Sequence, residues 1–127
     1  LLGRAGNDNL LGSLGADVMT GGDGADRFFF YQETIGPATT DRITDFQTRI
    51  DDIDLRAIDA NGTAAGSTAF SFLARKGAAF TGARGQLRWD KVAGMTLVEG
   101  DLNGDRVADF QIALTGLKTL TKGDFLL

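Results

Sequence analysis

Histidine and cysteine are both absent from the chain. Without histidine there is no imidazole to ligate zinc or to serve as the base of a Ser-His or Cys-His pair. Without cysteine there are no disulfides and no thiolate metal sites, and a cysteine-free chain is neutral on compartment. A single proline stands against eighteen glycines in 127 residues. Glycine loses the most backbone entropy on folding, so a glycine-rich stretch needs a source of stability beyond its own contacts. No apolar run approaches the roughly 18 residues of a membrane span. No leader peptide is visible, and Leu1 opens inside a repeat, so the natural amino terminus is expected elsewhere. The net charge is −4 with basic residues scattered, which argues against a nucleic-acid footprint and a polybasic membrane patch. The 43% hydrophobic content allows a core, in one domain or in a repeat segment plus one small domain.

What the chain does have is a repeat. From Gly3 onward it reads GRAGNDNLL, GSLGADVMT, GGDGADRFF, in steps of nine residues. Gly3, Gly12 and Gly21 hold the first position, and Gly6, Gly15 and Gly24 the fourth. Asp8, Asp17 and Asp26 hold the sixth, and Leu10, Met19 and Phe28 the eighth. The register is unbroken. The glycines permit turns with positive φ that curl the backbone with its carbonyls inward, and the last three residues form a short strand with one inward apolar side chain.

This nonapeptide resembles the calcium-binding repeat of RTX proteins, a parallel β-roll. The resemblance implies that two repeats complete a coil and that repeats one and three stack, with strands about 4.8 Å apart. One calcium ion, with oxygens at roughly 2.3–2.6 Å, would then lie between Asp8 and Asp26, and the carbonyls of Arg4, Gly6, Gly21 and Asp23 would complete its shell. Arg4 and Ser13 depart from the pattern, replacing the second glycine. Ser13, Gly15 and Asp17 would form a half-site facing the other side, where Asp41 is a candidate to close it.

Beyond the repeats, RFFFY (27–31) closes the last one, and a loop over 32–40 carries Pro37. Residues 41–61 read as a strand, a turn and a short helical turn near Leu55–Ile58. Segments 69–73, 86–92, 95–101 and 107–114 read as further strands. Leu87 and Trp89 share one face, as do Phe110, Ile112 and Leu114, and this alternation with glycine-containing turns predicts antiparallel sheet. Trp89, Phe70, Phe72 and Phe80 are expected in a core.

The order of DRITDF, IDLRAIDAN, AFSF, GQLRW, TLVEGDLNGDRVADFQIALTG and DFLL resembles the C-terminal domain of serralysin-type secreted metalloproteases. It is also similar to the modules that end alginate epimerases and lipases. The fold implied is all-β: a parallel β-roll over 1–31 followed by an antiparallel, sandwich-like module over 32–127. The function implied is non-catalytic. The module would bind calcium, travel through a type I secretion apparatus, fold outside the cell and serve an upstream catalytic domain. Two other classes remain open: a polysaccharide-binding module and a structural surface segment. DFLL (124–127) is expected to dock as a final strand or helical turn, and the resemblance makes it part of an export signal.

Asp101, Asn103, Asp105 and Asp109 have the 1, 3, 5, 9 spacing of an EF-hand-like calcium loop. Arg106 stands where that loop wants glycine, and Ile112 where a bidentate Glu belongs. The competing reading, a hairpin turning on Asn103-Gly104, is favoured. Asp51, Asp52 and Asp54 are expected to be a solvated acidic turn. Nothing in the sequence pairs a nucleophile with a pocket.

Overall fold

A strand with alternating inward apolar residues must find a sheet to join, and the repeats find one by coiling. The computed structural model describes residues 1–31, 39–60 and 69–127. Its strands are β1 (Asn9–Leu11), β2 (Val18–Met19), β3 (Arg27–Tyr31), β4 (Asp41–Ile43), β5 (Asp52–Ala57), β6 (Ser71–Phe72), β7 (Gln86–Val92), β8 (Met95–Asp101), β9 (Phe110–Thr115) and β10 (Phe125–Leu126). A 3-10 turn, Lys122–Asp124, precedes β10. The chain alternates between two sheets, ordered β1-β3-β5-β10 and β2-β4-β9-β8-β7-β6. The first sheet is wholly parallel. In the second, β2, β4 and β9 pair in parallel, while β9, β8 and β7 pair antiparallel. The chain is thus a parallel β-roll joined to an antiparallel cap.

The parallel ladder runs on past Tyr31. β5 and β10 extend the first sheet, and β4 and β9 extend the second. Register aligns the inward residues into two columns. Leu10, Phe28, Ile53 and Phe125 stack in one sheet, and Met19, Ile43 and Leu114 in the other. All seven belong to a single buried cluster that also takes in Phe70, Leu87, Trp89, Val98 and Phe110. Phe110 lies opposite Gly100, whose missing side chain leaves room for the ring, and packs edge-on against Phe70 at 5.7 Å. Phe80 is buried as well, with Arg88 over its ring at 3.9 Å, while Phe72 is half-buried against Phe125 at 5.1 Å.

Two sequence expectations change here. The helical turn near Leu55–Ile58 is strand through Ala57, because β5 is held on both flanks by β3 and β10; only the bond from the Ile58 amide to the Leu55 carbonyl, 3.0 Å, retains turn character. Asp51 and Asp54 are not solvated, being 1% and 3% exposed. DFLL combines both expected forms, the 3-10 turn ending at Asp124 and the strand β10.

Removing a buried aromatic ring costs roughly 3–5 kcal/mol. Phe125→Ala should therefore destabilise the chain by about 3 kcal/mol or more, since the ring ends a continuous apolar column. Leu127→Ala, at a partly buried position, should cost clearly less. Denaturant melts of both variants measure this, and equal losses would show that β10 is not part of the core.

Candidate metal centre

Two edges of the roll carry the acidic turns. Along the first, the chain passes from the second sheet into the first through turns 3–8, 21–26 and 44–51. Turns 3–8 and 21–26 stack through the parallel bridges Leu2–Thr20 and Ala5–Asp23. The Asp23 amide donates to the Arg4 carbonyl at 3.1 Å, and the Gly6 amide to the Asp23 carbonyl at 2.7 Å. A side chain at Gly22 would collide with the Arg4 carbonyl oxygen, and one at Gly24 with that of Gly6. Both glycines also have positive φ, 99° and 132°, so residue type and close approach are set by the same turn. The Gly21 carbonyl crowds Gly3 in the same way. All six residues expected to form this site, Arg4, Gly6, Asp8, Gly21, Asp23 and Asp26, thus lie on two facing turns.

The carboxylates sit between these turns. Asp8 Oδ2 accepts the Arg4 amide at 2.8 Å, and Asp26 Oδ1 accepts the Asp8 amide at 2.9 Å. Asp26 is 2% exposed, and its Oδ2, lying where a Gly21 side chain would be, accepts no hydrogen bond among the described residues. A buried anionic oxygen without a partner is costly. The orphaned oxygen and the glycine-lined carbonyls fit a hard cation that takes oxygen ligands.

On the second edge, the Asp17 amide donates to Asp41 Oδ1 at 2.8 Å, and Asp17 Oδ2 is likewise buried without a partner among the described residues. Asp17 and Asp41 are therefore brought together. Ser13 is exposed and Gly15 half-buried, with open space where a Gly15 side chain would be. Neither is brought against Asp41 by a described contact.

The same edge continues into residues 102–109, which join β8 to β9. The strands do form an antiparallel pair, but a tight turn on Asn103-Gly104 does not connect them. Asp101 holds the loop open by accepting the amides of Gly104 and Arg106, at 2.8 and 2.9 Å, and Asp109 accepts that of Leu102 at 2.6 Å. Carboxylate oxygens of Asp101, Asp105 and Asp109 converge within 4.8 Å of one another, a span one calcium ion could bridge. Asn103 instead accepts the Asp105 amide at 3.0 Å. Arg106 takes the left-handed conformation, φ 70°, that the EF-hand pattern assigns to glycine, and its guanidinium reaches out to the Thr81 carbonyl at 3.1 Å. Ile112 is buried in β9 and offers no oxygen.

Sequence reasoning missed Asp45, Gln47, Asp51 and Asp124. Asp45 accepts the amides of Gly21 and Gly22, both at 2.8 Å, and Asp51 those of Asp26 and Gln47, at 2.9 and 2.8 Å. Asp124 accepts those of Arg49 and Thr121, each at 2.8 Å. One signal was available: Asp51 precedes inward Ile53 by the two-residue offset that separates Asp8 from Leu10 and Asp26 from Phe28. Asp54, on the outer face of β5, binds Arg56 at 2.7 Å. Burial acts to raise its pKa, but the Arg56 hydrogen bonds outweigh that and hold it below the usual value.

Burial pushes Asp41 and Asp51 above the ordinary carboxylate value of 3.8. Amide hydrogen bonds oppose the rise, and the charges of Asp17 (on Asp41) and of Asp26 and Asp45 (on Asp51) add to it. In the metal-free chain both groups hold protons more tightly folded than unfolded. Their contribution is fully present below 3.8 and is lost as pH rises through the raised folded values. In chelator the melting temperature should therefore fall as pH climbs through that window, and Asp51→Asn should flatten the fall. An unchanged slope in the variant would contradict the assignment.

The sequence matches the family described as Peptidase M10 serralysin C terminal over residues 2–127. No curated protein matches it. It is similar to the solution structure of the AlgE6R3 subunit from the Azotobacter vinelandii mannuronan C5-epimerase, at 28% identity and a TM-score of 0.64. That match covers 98% of this chain and 65% of the other, so the chain spans just under two thirds of that structure's length. The AlgE6R2 subunit of the same epimerase shares 20% identity at a TM-score of 0.48, covering 99% of this chain and 91% of its own. The in-register Gly-and-Asp turns, the roll they build and a family match spanning nearly every residue lead to one conclusion: the chain belongs to the serralysin C-terminal family of peptidase M10.

Proposed function

We propose that this chain is a calcium-dependent, non-catalytic C-terminal module of a protein exported through a type I channel. The observation that carries the reading is the buried Asp26 Oδ2, beside Gly21 and without a hydrogen-bond partner among the described residues, on a carboxylate whose Oδ1 reaches the facing glycine-lined turn. Calcium there, held by Asp8, Asp26 and the carbonyls of Arg4, Gly6, Gly21 and Asp23, would supply the positive charge that the stacked carboxylates lack. Where calcium is scarce, the repeats ahead of turn 21–26 stay unfolded and the chain remains threadable; extracellular calcium, at which such modules work with affinities near 10⁻⁴ to 10⁻³ M, then folds them. Residues 32–127 form the module that depends less on the ion, sharing the core with the roll. Asp17 with Asp41, and the loop carrying Asp101, Asp105 and Asp109, are the further candidate sites.

The parent is a serralysin-like zinc metalloprotease, whose catalytic domain would lie upstream. The likeness to an epimerase subunit favours a second parentage, an alginate epimerase or other polysaccharide-acting enzyme, and retention on an alginate column would select it. DFLL belongs to the export signal. Because Asp124 and Phe125 are buried in the folded chain, the exporter must read it before folding.

In a calcium titration followed by circular dichroism, Asp26→Ala should raise the calcium concentration needed for folding by about tenfold or more, through loss of an anionic ligand. Asp109→Ala should raise it less. Equal shifts would make the 101–109 loop a genuine calcium site on a par with the first, and no shift in either would overturn the calcium reading. Secretion of a passenger fused to the chain, in cells carrying a type I exporter, should collapse when the last four residues are deleted. Unimpaired secretion would remove DFLL from the signal.

A further inference from the structure

The first edge presents the same geometry twice, because Arg27 aligns with Asn9 on one side and with Asp52 on the other. Turn 21–26 therefore faces turn 3–8 below and turn 44–51 above. Below, Asp26 Oδ2 has no hydrogen-bond partner among the described residues, and the carbonyl of Arg4, the second residue of its turn, faces Gly22 and meets only a backbone amide, that of Asp23, at 3.1 Å. Above, the corresponding groups are occupied by protein. Gly22 is the second residue of its own turn, and its carbonyl accepts a hydrogen bond from Gln47 Nε2 at 3.2 Å. The Gly21 and Gly22 amides go to Asp45, and the Asp26 and Gln47 amides to Asp51. The Gln47 carbonyl accepts the amides of Ile50 and Asp51 at 3.2 and 2.9 Å. The Arg49 amide of the same turn is taken by Asp124 Oδ1 at 2.8 Å.

A carboxamide NH₂ presents donors and no net charge. Set on the carbonyl that an ion would use, it satisfies that oxygen as a cation does, but leaves no vacancy for one. We propose that Gln47 ends the metal ladder on this edge: turn 44–51 docks on turn 21–26 through a side-chain amide and the two carboxylate clamps of Asp45 and Asp51, in place of calcium. This rests on the calcium reading of turns 3–8 and 21–26. It explains why glycines line the lower interval and are missing from the upper turn, whose residues 44–51 read TDFQTRID. The metal-dependent part of the roll is thereby seated on a coil closed by protein groups alone.

The test is a calorimetric calcium titration of the full chain, paired with melting curves in chelator and in calcium. Gln47→Glu should take up one more calcium than the parent, because a carboxylate beside the Gly22 carbonyl restores an ion site. In chelator it should melt below the parent, since a further negative charge then faces Asp26, Asp45 and Asp51. Gln47→Ala should leave the stoichiometry unchanged and lower the melting temperature by the same shift in both conditions. Asp45→Asn should do likewise. Gln47→Glu with the parent's stoichiometry, or Asp45→Asn with one calcium fewer, would overturn the proposal. Asp8→Asn tests the underlying reading separately: if it loses no calcium, the lower site itself is wrong, whatever Gln47→Glu does.

Discussion

Asp8, Asp26 and Asp51 stand in one column because β1, β3 and β5 are parallel and in register. Strand spacing brings successive carboxylates to about 4.8 Å. At an effective dielectric near 20, unit charges at that distance repel by about 3 kcal/mol, more than one buried leucine returns at about 1.5–3 kcal/mol. Each glycine-rich repeat buries only one such residue. The repeats therefore cannot close on apolar contacts while their carboxylates go unanswered. The column is answered in two ways. Asp51 is met by amides from its own and the neighbouring turn, whereas Asp26 keeps one oxygen that no group among the described residues meets.

The rest of the architecture follows from this division. Beyond the repeats, apolar residues become dense: Ile53 and Phe125 continue the first column, Ile43 and Leu114 the second, and Trp89, Val98 and Phe110 fill the cap. The final strand completes the first sheet on β5, and Asp124 fastens it by taking the Arg49 amide. The chain's last residues thus brace the turn on which the repeats are built. A roll of this kind is stiff at its carboxyl-terminal end and conditional at its amino-terminal one.

Much of this was legible in the sequence, and for a physical reason. The nonapeptide fixes turn, strand and inward residue together, so Gly22, Asp26 and Phe28 could be placed from spacing alone. Alternation likewise marked β7 and β9, and the ends of β7 and β8 coincide with the segments read from the sequence. What escaped was non-local. Asp51 looked like one of three acidic residues in a turn, because its burial depends on β5 lying between β3 and β10. The 102–109 loop looked like a tight hairpin, since Asn-Gly is a strong local signal; Asp101 overrides it by capturing two amides of the loop. The strand through Leu55 overrode a local turn preference because β3 pairs with β5 on either side of it, at Asp54 and at Ala57.

Amide hydrogen exchange of the full chain, in calcium and in chelator, tests the central division most directly. The account predicts that the Gly6 and Asp23 amides, which bridge turns 3–8 and 21–26, are protected only in calcium. The paired amides of β8 and β9, and the Asp26 amide held by Asp51, should be protected in both conditions, since neither relies on an ion. Equal protection of Gly6 and Asp23 with and without calcium would contradict it, because the repeats would then be folding on protein contacts alone.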